Sequence, residues 1–562
     1  MTPSTFCTPS QKNSPVTPLH LDRRSSLLRF FLSIPNFLFG ILILVPFGCH
    51  PSDPNAEQQV NTPTLKESRS RTEIALPSTA SPVQAPASKE STDETLDDSA
   101  PSEHLTSIPG MNIPPPRHFS SQELKNSGMY AITSRRLRLY TDVPPERLEG
   151  IGTAVDHLFD EWIAYFYSHK NALTPVDDPA EQSDWSCTGY VISDKTRFHE
   201  NGMLPQDLPA FSDGLSRGYE FWVSEQKESY YLKHLILHEA THCFVETAVG
   251  LLNATWYSEG LAEMFATHLF HNGSWTFKTI PDNKSLVSGW GRISLIRESW
   301  SRGERVSISQ ILQVPGDRPL SVTWYAWCWA LTCFLDQHPI FQDRFRTLSR
   351  VHWNRKNTEP SRASPHPTID IQNHFEQLFN DDRRELEERW QLFVSNLEYG
   401  YDVARSTLDL RYGTPLSIKQ PMTFTVQSDQ GWQNTGIAVS PGHQLHLRAK
   451  GKYRLTGPPA PWWSEPNGVS FRYYRGKPLG RLIAAIRTHE GRLWNESSPI
   501  PVPSVAESSS PEPLPEWRFF DLGIDSFLNA EYPGTLYLRI NDAWGELKDN
   551  EGKLTVTINR SR

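Results

Sequence analysis

Cysteine is scarce in this chain, with six among 562 residues. Cys7 and Cys49 fall near the N-terminus, leaving Cys187, Cys243, Cys328 and Cys333 for any folded part. Four scattered cysteines cannot build a dense disulfide framework. Cys243, Cys328 and Cys333 read as small apolar core residues, not ligands. Excess positive charge is missing as well: 55 lysines and arginines stand against 64 acids, a net charge of -9. Without a basic stripe a phosphate backbone has nothing on which to release counterions, so nucleic acid is excluded as a partner. Aromatics are nearly absent from His50 to about Pro116, where Pro, Ser, Thr, Glu and Ala dominate. Such a stretch cannot bury enough apolar area to offset its ordering entropy, so 50–118 is expected to be a disordered tether. The whole chain is too long for one ordinary domain, and two folded units are expected beyond it.

The N-terminus carries what the rest lacks. Arg23, Arg24 and Arg29 precede an apolar run from Phe30 to Phe47 that ends at Gly48-Cys49. Residues 1–49 resemble a bacterial lipoprotein signal, which implies lipidation at Cys49, membrane attachment and an extracytoplasmic place in the cell envelope. Pro46 and Phe47 depart from the aliphatic and small residues of such signals, leaving an uncleaved membrane anchor as the alternative.

Beyond the tether, Arg136 to Tyr140 alternates like a half-buried strand, and Leu148, Ile151, Val155, Leu158, Trp162 and Phe166 recur at helical spacing. Cys187 to Ile192 and Tyr219 to Val223 read as strands, and Tyr230 to Arg405 is mostly helical. Within the helical part lies His238-Glu239-Ala240-Thr241-His242. On a helix the two histidines present imidazoles on one face, the geometry that grips one zinc ion. Glu239 is one residue round, placed to act as general base on a water without being a ligand. Leu232, Leu235, Ile236 and Phe244 bury this helix, and inward histidines there need a partner such as a metal. Trp256-Tyr257-Ser258-Glu259-Gly260-Leu261-Ala262-Glu263 then starts a second helix with two acids one turn apart. Glu259 would complete a three-ligand site with an open fourth position.

These two motifs resemble the gluzincin metallopeptidases and, with Arg138 to Asp142 and Tyr399 to Asp402, an uncharacterised family of secreted bacterial HExxH proteins. The resemblance implies a zincin-like α+β domain over 119–410, zinc on His238, His242 and Glu259, and catalysis by Glu239. Glu263 carries over as an acid that orients a ligand histidine. Tyr325 carries over as the oxyanion donor, against a plain core role. His234 reads as structural. The G-x-M-E-N motif of the aminopeptidase branch is missing from Pro205 to Gln226, so an endopeptidase is implied. Tyr219 to Val223 reads either as an edge strand that an extended peptide would join or as an ordinary sheet strand.

After about Leu410 short strands with Gly and Pro turns take over, the pattern of an all-β sandwich over 411–562: Met422 to Val426, Gln444 to Ala449, Ser470 to Tyr474, Thr535 to Ile540, Lys553 to Ile558. Leu536 to Gly552 resembles the calcium-dependent galactophilic lectins of bacteria. The resemblance implies Ca2+ on Asp542, the backbone of Glu546, Asp549 and Asn550, with Tyr453 to Gly457 near a further carbonyl. Sugar specificity does not carry over, although Trp462 and Trp463 are placed to stack on a pyranose; loop tryptophans covering the sandwich are the alternative. The expectation is a surface-anchored zinc peptidase acting on peptide or protein substrates, with an accessory glycan-binding-like module. The alternative is a carbohydrate-binding surface protein whose metalloprotease fold is idle.

Overall fold

A computed structural model describes residues 118–167, 185–250, 252–316, 320–350, 370–456, 461–489 and 514–561. The leader 1–49 with Cys49 and, but for its last residue, the tether 50–118 lie outside these. No helix among the described residues is long and apolar enough to cross a membrane.

The first half is built on a five-stranded mixed sheet of β1 (Tyr130–Thr133), β2 (Leu137–Thr141), β3 (Cys187–Ile192), β4 (Gly214–Arg217) and β5 (Glu220–Ser224), in the order β1-β2-β3-β5-β4. β2, β3 and β5 run parallel, and the two outer strands pair antiparallel. β3 is buried along its whole length because helices and loops cover both faces. Phe221 and Val223 of β5 point into the main core, and Trp222 points the opposite way into a smaller one with Tyr140, Tyr190 and Phe198.

The helix read from periodicity forms over Ile151–Tyr167, with Leu148 in a short turn before it. Its Trp162 and Phe166 meet Phe244 of the motif helix, Ser229–Phe244. Against that helix packs Thr255–Ala266, the glutamate helix, and against this in turn Val322–Gln337, the tyrosine helix. Cys187, Cys243, Cys328 and Cys333 are all free and buried among apolar neighbours, the packing role expected of the last three.

Among its described residues the second half is all strand apart from one short turn, so the described fold is mixed α+β. One sheet runs Trp517–Asp521, Leu482–Thr488, Gly534–Ile540, Gln433–Val439, Thr414–Pro415. The other runs Trp463–Ser464, Tyr453–Arg454, Glu551–Arg560, Gln444–Lys450, Asp525–Asn529, with Met422–Gln427 also on Glu551–Arg560. Ile437, Leu482 and Leu538 of the first face Leu447, Leu554 and Val556 of the second across a separate core. The strand expected over Ser470 to Tyr474 shrinks to Tyr473–Tyr474, paired with Lys477–Pro478. Arg475 (φ 48°) and Gly476 (φ 76°) turn the chain at once, and Phe471 and Tyr473 are largely exposed.

The main core crosses residue 410. Trp390, Phe393 and Tyr401 share it with Trp432, Ile483, Tyr537 and Trp544. A buried two-pronged ion pair joins the halves: Arg487 Nε and Nη2 each donate to Glu388 at 2.7 Å.

Candidate metal centre

The motif helix lies across the sheet beside β4, and its one-turn spacing puts His238 and His242 on the side that meets the glutamate helix. A wide turn at Val245–Val249 and Gly250, at φ 130°, end the motif helix and lead the chain back. His238 Nε2 and His242 Nε2 are 3.1 Å apart, and each is 3.2 Å from Glu259 Oε2. That triangle is the spacing of donors around one ion bound at about 2 Å. Burial works to lower His242, but the Glu259 carboxylate outweighs it and raises the imidazole to about 9. Burial likewise works to raise Glu259, and His242 and His238 hold its carboxyl well below the usual range. The cluster therefore draws positive charge strongly, and its nitrogen and oxygen donors fit a transition-metal ion.

Glu239 stands beside this triangle without belonging to it. Burial pushes its carboxyl up, opposed by the two histidines. A cleft of about 840 Å³ opens over the site, lined among others by Phe211, Gly214, Ser216, Leu252, Glu239 and Tyr325. Tyr325 comes from the first turn of the tyrosine helix, capped by Ser321, and meets His238 edge-on at 6.0 Å between ring centres. Burial pushes its phenol far up, so the hydroxyl stays a donor.

A second group of His234, His238 and Glu263 lies directly beneath. Its carboxylate is already engaged: Arg292 Nε and Nη2 donate to Glu263 at 3.0 and 2.8 Å, and both residues are buried. Arg292, with His234, holds Glu263 ionised despite burial. Glu263 thus braces the two histidines above it, with Oε1 3.6 Å from His238 Nδ1 and Oε2 3.2 Å from His234 Nε2. Stacking on Tyr230 and Tyr231 gives His234 the structural place expected of it.

The segment Tyr219 to Val223 is not an edge. As β5 it pairs with β3 on one side and β4 on the other. The edge beside the cleft is β4, whose Gly-Leu-Ser-Arg is half-exposed and carries no apolar run to mark it in the sequence. Arg292 also went unmarked, since a lone arginine 29 residues past its partner makes no pattern.

In the second half Asp542 is fully buried. Its Oδ1 accepts from Ala543 N at 2.7 Å and its Oδ2 from Asn550 Nδ2 at 2.9 Å, while Asn550 Oδ1 is buried with no partner among the described residues. Burial pushes Asp542 up to about 7. Glu546 turns its carboxylate to Arg472, and Asp549 is exposed. The loop is not a free rim: Gly545 N donates to Glu398, Lys548 pairs with Asp282, and Trp544 stacks on Tyr401. Tyr453 is held in a strand between Ser464 and Gly552. Trp463 is exposed, and Trp462 packs edge-on against Phe471.

No protein-family model matches this chain, and neither does any curated protein. Among solved structures, an EclA N-terminal domain, a PllA-like lectin, is similar over 25% of this chain and 98% of its own at 17% identity. The TM-score is 0.17, a level at which the likeness carries no weight for fold or ligand.

Proposed function

We propose that this protein is a zinc-dependent peptidase of zincin type that cuts within peptide chains, held at the cell envelope by its N-terminal segment. The observation that carries the reading is the His238, His242 and Glu259 triangle with a buried carboxylate, Glu239, beside it and outside it. Zinc bound by the three would polarise a carbonyl and acidify a water. The chain's own residues do the rest. Glu239 accepts the proton of the attacking water and returns it to the departing amine. The Tyr325 hydroxyl donates a hydrogen bond to the developing oxyanion. The side of β4 that no described strand pairs with offers main-chain groups to an extended peptide. An idle protease fold serving only as a glycan binder would have no need of Glu239. An oxygen-only calcium site at Asp542, Glu546, Asp549 and Asn550 is part of the proposal, supported by the unpartnered Asn550 Oδ1.

The test uses the full chain purified with zinc present. One zinc per chain is expected, absent from His238→Ala. Glu239→Gln should keep the zinc and lose at least about 10²-fold in cleavage of a peptide library. A metal-free wild type, or a fully active Glu239→Gln, refutes the reading.

A further inference from the structure

The strand beside the base comes closer than any side chain would allow. A methyl group placed on Gly214 would lie 2.3 Å from Glu239 Oε1 and 2.9 Å from its carboxyl carbon. The backbone of β4 is therefore the wall against which the carboxylate rests, and a side chain at Gly214 would push the Glu239 carboxylate away from it. Ser216 lies two residues on, facing the same side of the strand. Register fixes which side: Gly214 pairs with Val223 and Ser216 with Phe221, both in the core under the motif helix. Leu215 pairs with Trp222, which points to the opposite core. Ser216 lines the cleft beside Glu239, and its side chain works to draw the Glu239 carboxyl down against the upward push of burial.

Taking Glu239 as the base, we infer that Ser216 is its positioning residue, tethering the carboxylate to the edge strand and away from the metal ligands. The need is chemical. A glutamate one residue from a ligand histidine has three rotatable bonds and is long enough to reach the ion itself. If it did, it would fill the open coordination position and cease to be a base. Gly214 lets the strand approach, and the Ser216 hydroxyl would hold the carboxylate on that side.

The test compares the full-length wild type with Ser216→Ala and Ser216→Thr, each loaded with Co2+ for spectroscopy and Zn2+ for kinetics. Ser216→Ala frees Glu239, so the visible cobalt bands should weaken and shift as a carboxylate joins the ligand set. Its kcat should fall about tenfold with KM unchanged, the size of one lost charge-assisted hydrogen bond. Ser216→Thr keeps the hydroxyl and should restore both readouts. Melting temperatures check that the variants fold, and should Ser216→Ala not fold, wild-type bands and kcat in Ser216→Thr remain the required result. A wild-type spectrum and kcat in Ser216→Ala, with metal bound, overturns this inference and leaves the peptidase reading intact. A folded Ser216→Thr that restores nothing makes the role structural and overturns it too. A wild type that takes up neither metal removes both readings together.

Discussion

Tyr325 and His338 show how one physical effect, burial, sets two different behaviours. Burial keeps the Tyr325 hydroxyl protonated at any working pH, so its service is donation alone. If it acts only on the transition state, Tyr325→Phe should lower kcat by roughly 10- to 100-fold with KM little changed. Unchanged steady-state kinetics would return it to a packing role. His338 is buried near Arg389, and burial first, then that charge, hold its imidazole down at about 3. Its Nδ1 accepts from Ile340 N at 3.2 Å, a bond the neutral ring alone can make. Because the folded value lies below the unfolded one near 6.5, the unfolded chain binds the extra proton. The stabilising contribution is whole above about pH 6.5 and drains as pH falls toward 3, by up to a few kcal/mol. Urea midpoints from pH 8 down to pH 5 should fall, and less so in His338→Asn; an equal fall in both would clear His338.

The cluster of His238, His242 and Glu259 was legible because it follows a short-range rule: two histidines one helical turn apart and a carboxylate on the next helix. Ser216, Gly214 and Arg292 obey no such local rule. Ser216 reaches Glu239 across 23 positions, and Arg292 reaches Glu263 across 29. Such partners are set by how elements pack, which periodicity does not encode.

At the scale of elements, the site depends on two helices meeting at a glycine. A methyl group on Gly260 would sit 2.1 Å from Thr332 Oγ1 and 2.8 Å from the Cys328 carbonyl oxygen. The glutamate and tyrosine helices therefore touch backbone to backbone, and Glu259 and Tyr325 are carried by that contact. Gly260→Ala should force the helices apart, costing about 1–3 kcal/mol of stability. It should also weaken zinc retention against a chelator. A variant with normal melting and normal retention would show that the contact has slack. The sheet tells the complementary story about legibility. Strands buried on one or both faces, β2, β3 and β5, announced themselves by apolar pattern. β4 did not, because the strand that borders a cleft must be neither apolar nor covered.

On the scale of the whole molecule, the two halves read from the change of period at residue 410 share a core, a buried ion pair and the Asp542–Asn550 loop. Gly545 lies so close to the Tyr399–Gly400 backbone that a methyl group on it would meet the Tyr399 carbonyl oxygen at 2.1 Å. A change of period marks where helices give way to strands, but it cannot tell whether the two pieces bury surface on each other. If Ca2+ occupies the loop, it binds the folded form and should raise the melting temperature of the full chain. Because the loop is wedged between the halves, both should melt in one transition that moves as a unit. Asp542→Ala should abolish the shift. Two separate transitions, only one of them calcium-sensitive, would show that the halves unfold independently.

The exposed flank of β4 carries a different liability. A strand edge open enough to recruit a peptide is also open to a strand from another copy of the same chain, the first step toward precipitation. β4 is four residues long, starts with glycine, and ends at Arg217, which is paired with Asp207 at the rim. Shortness, a weak strand former and a charge are the devices that keep such edges from sticking to each other. The same Gly214 that makes room for the Glu239 carboxylate thus also helps keep copies of the chain from pairing edge to edge.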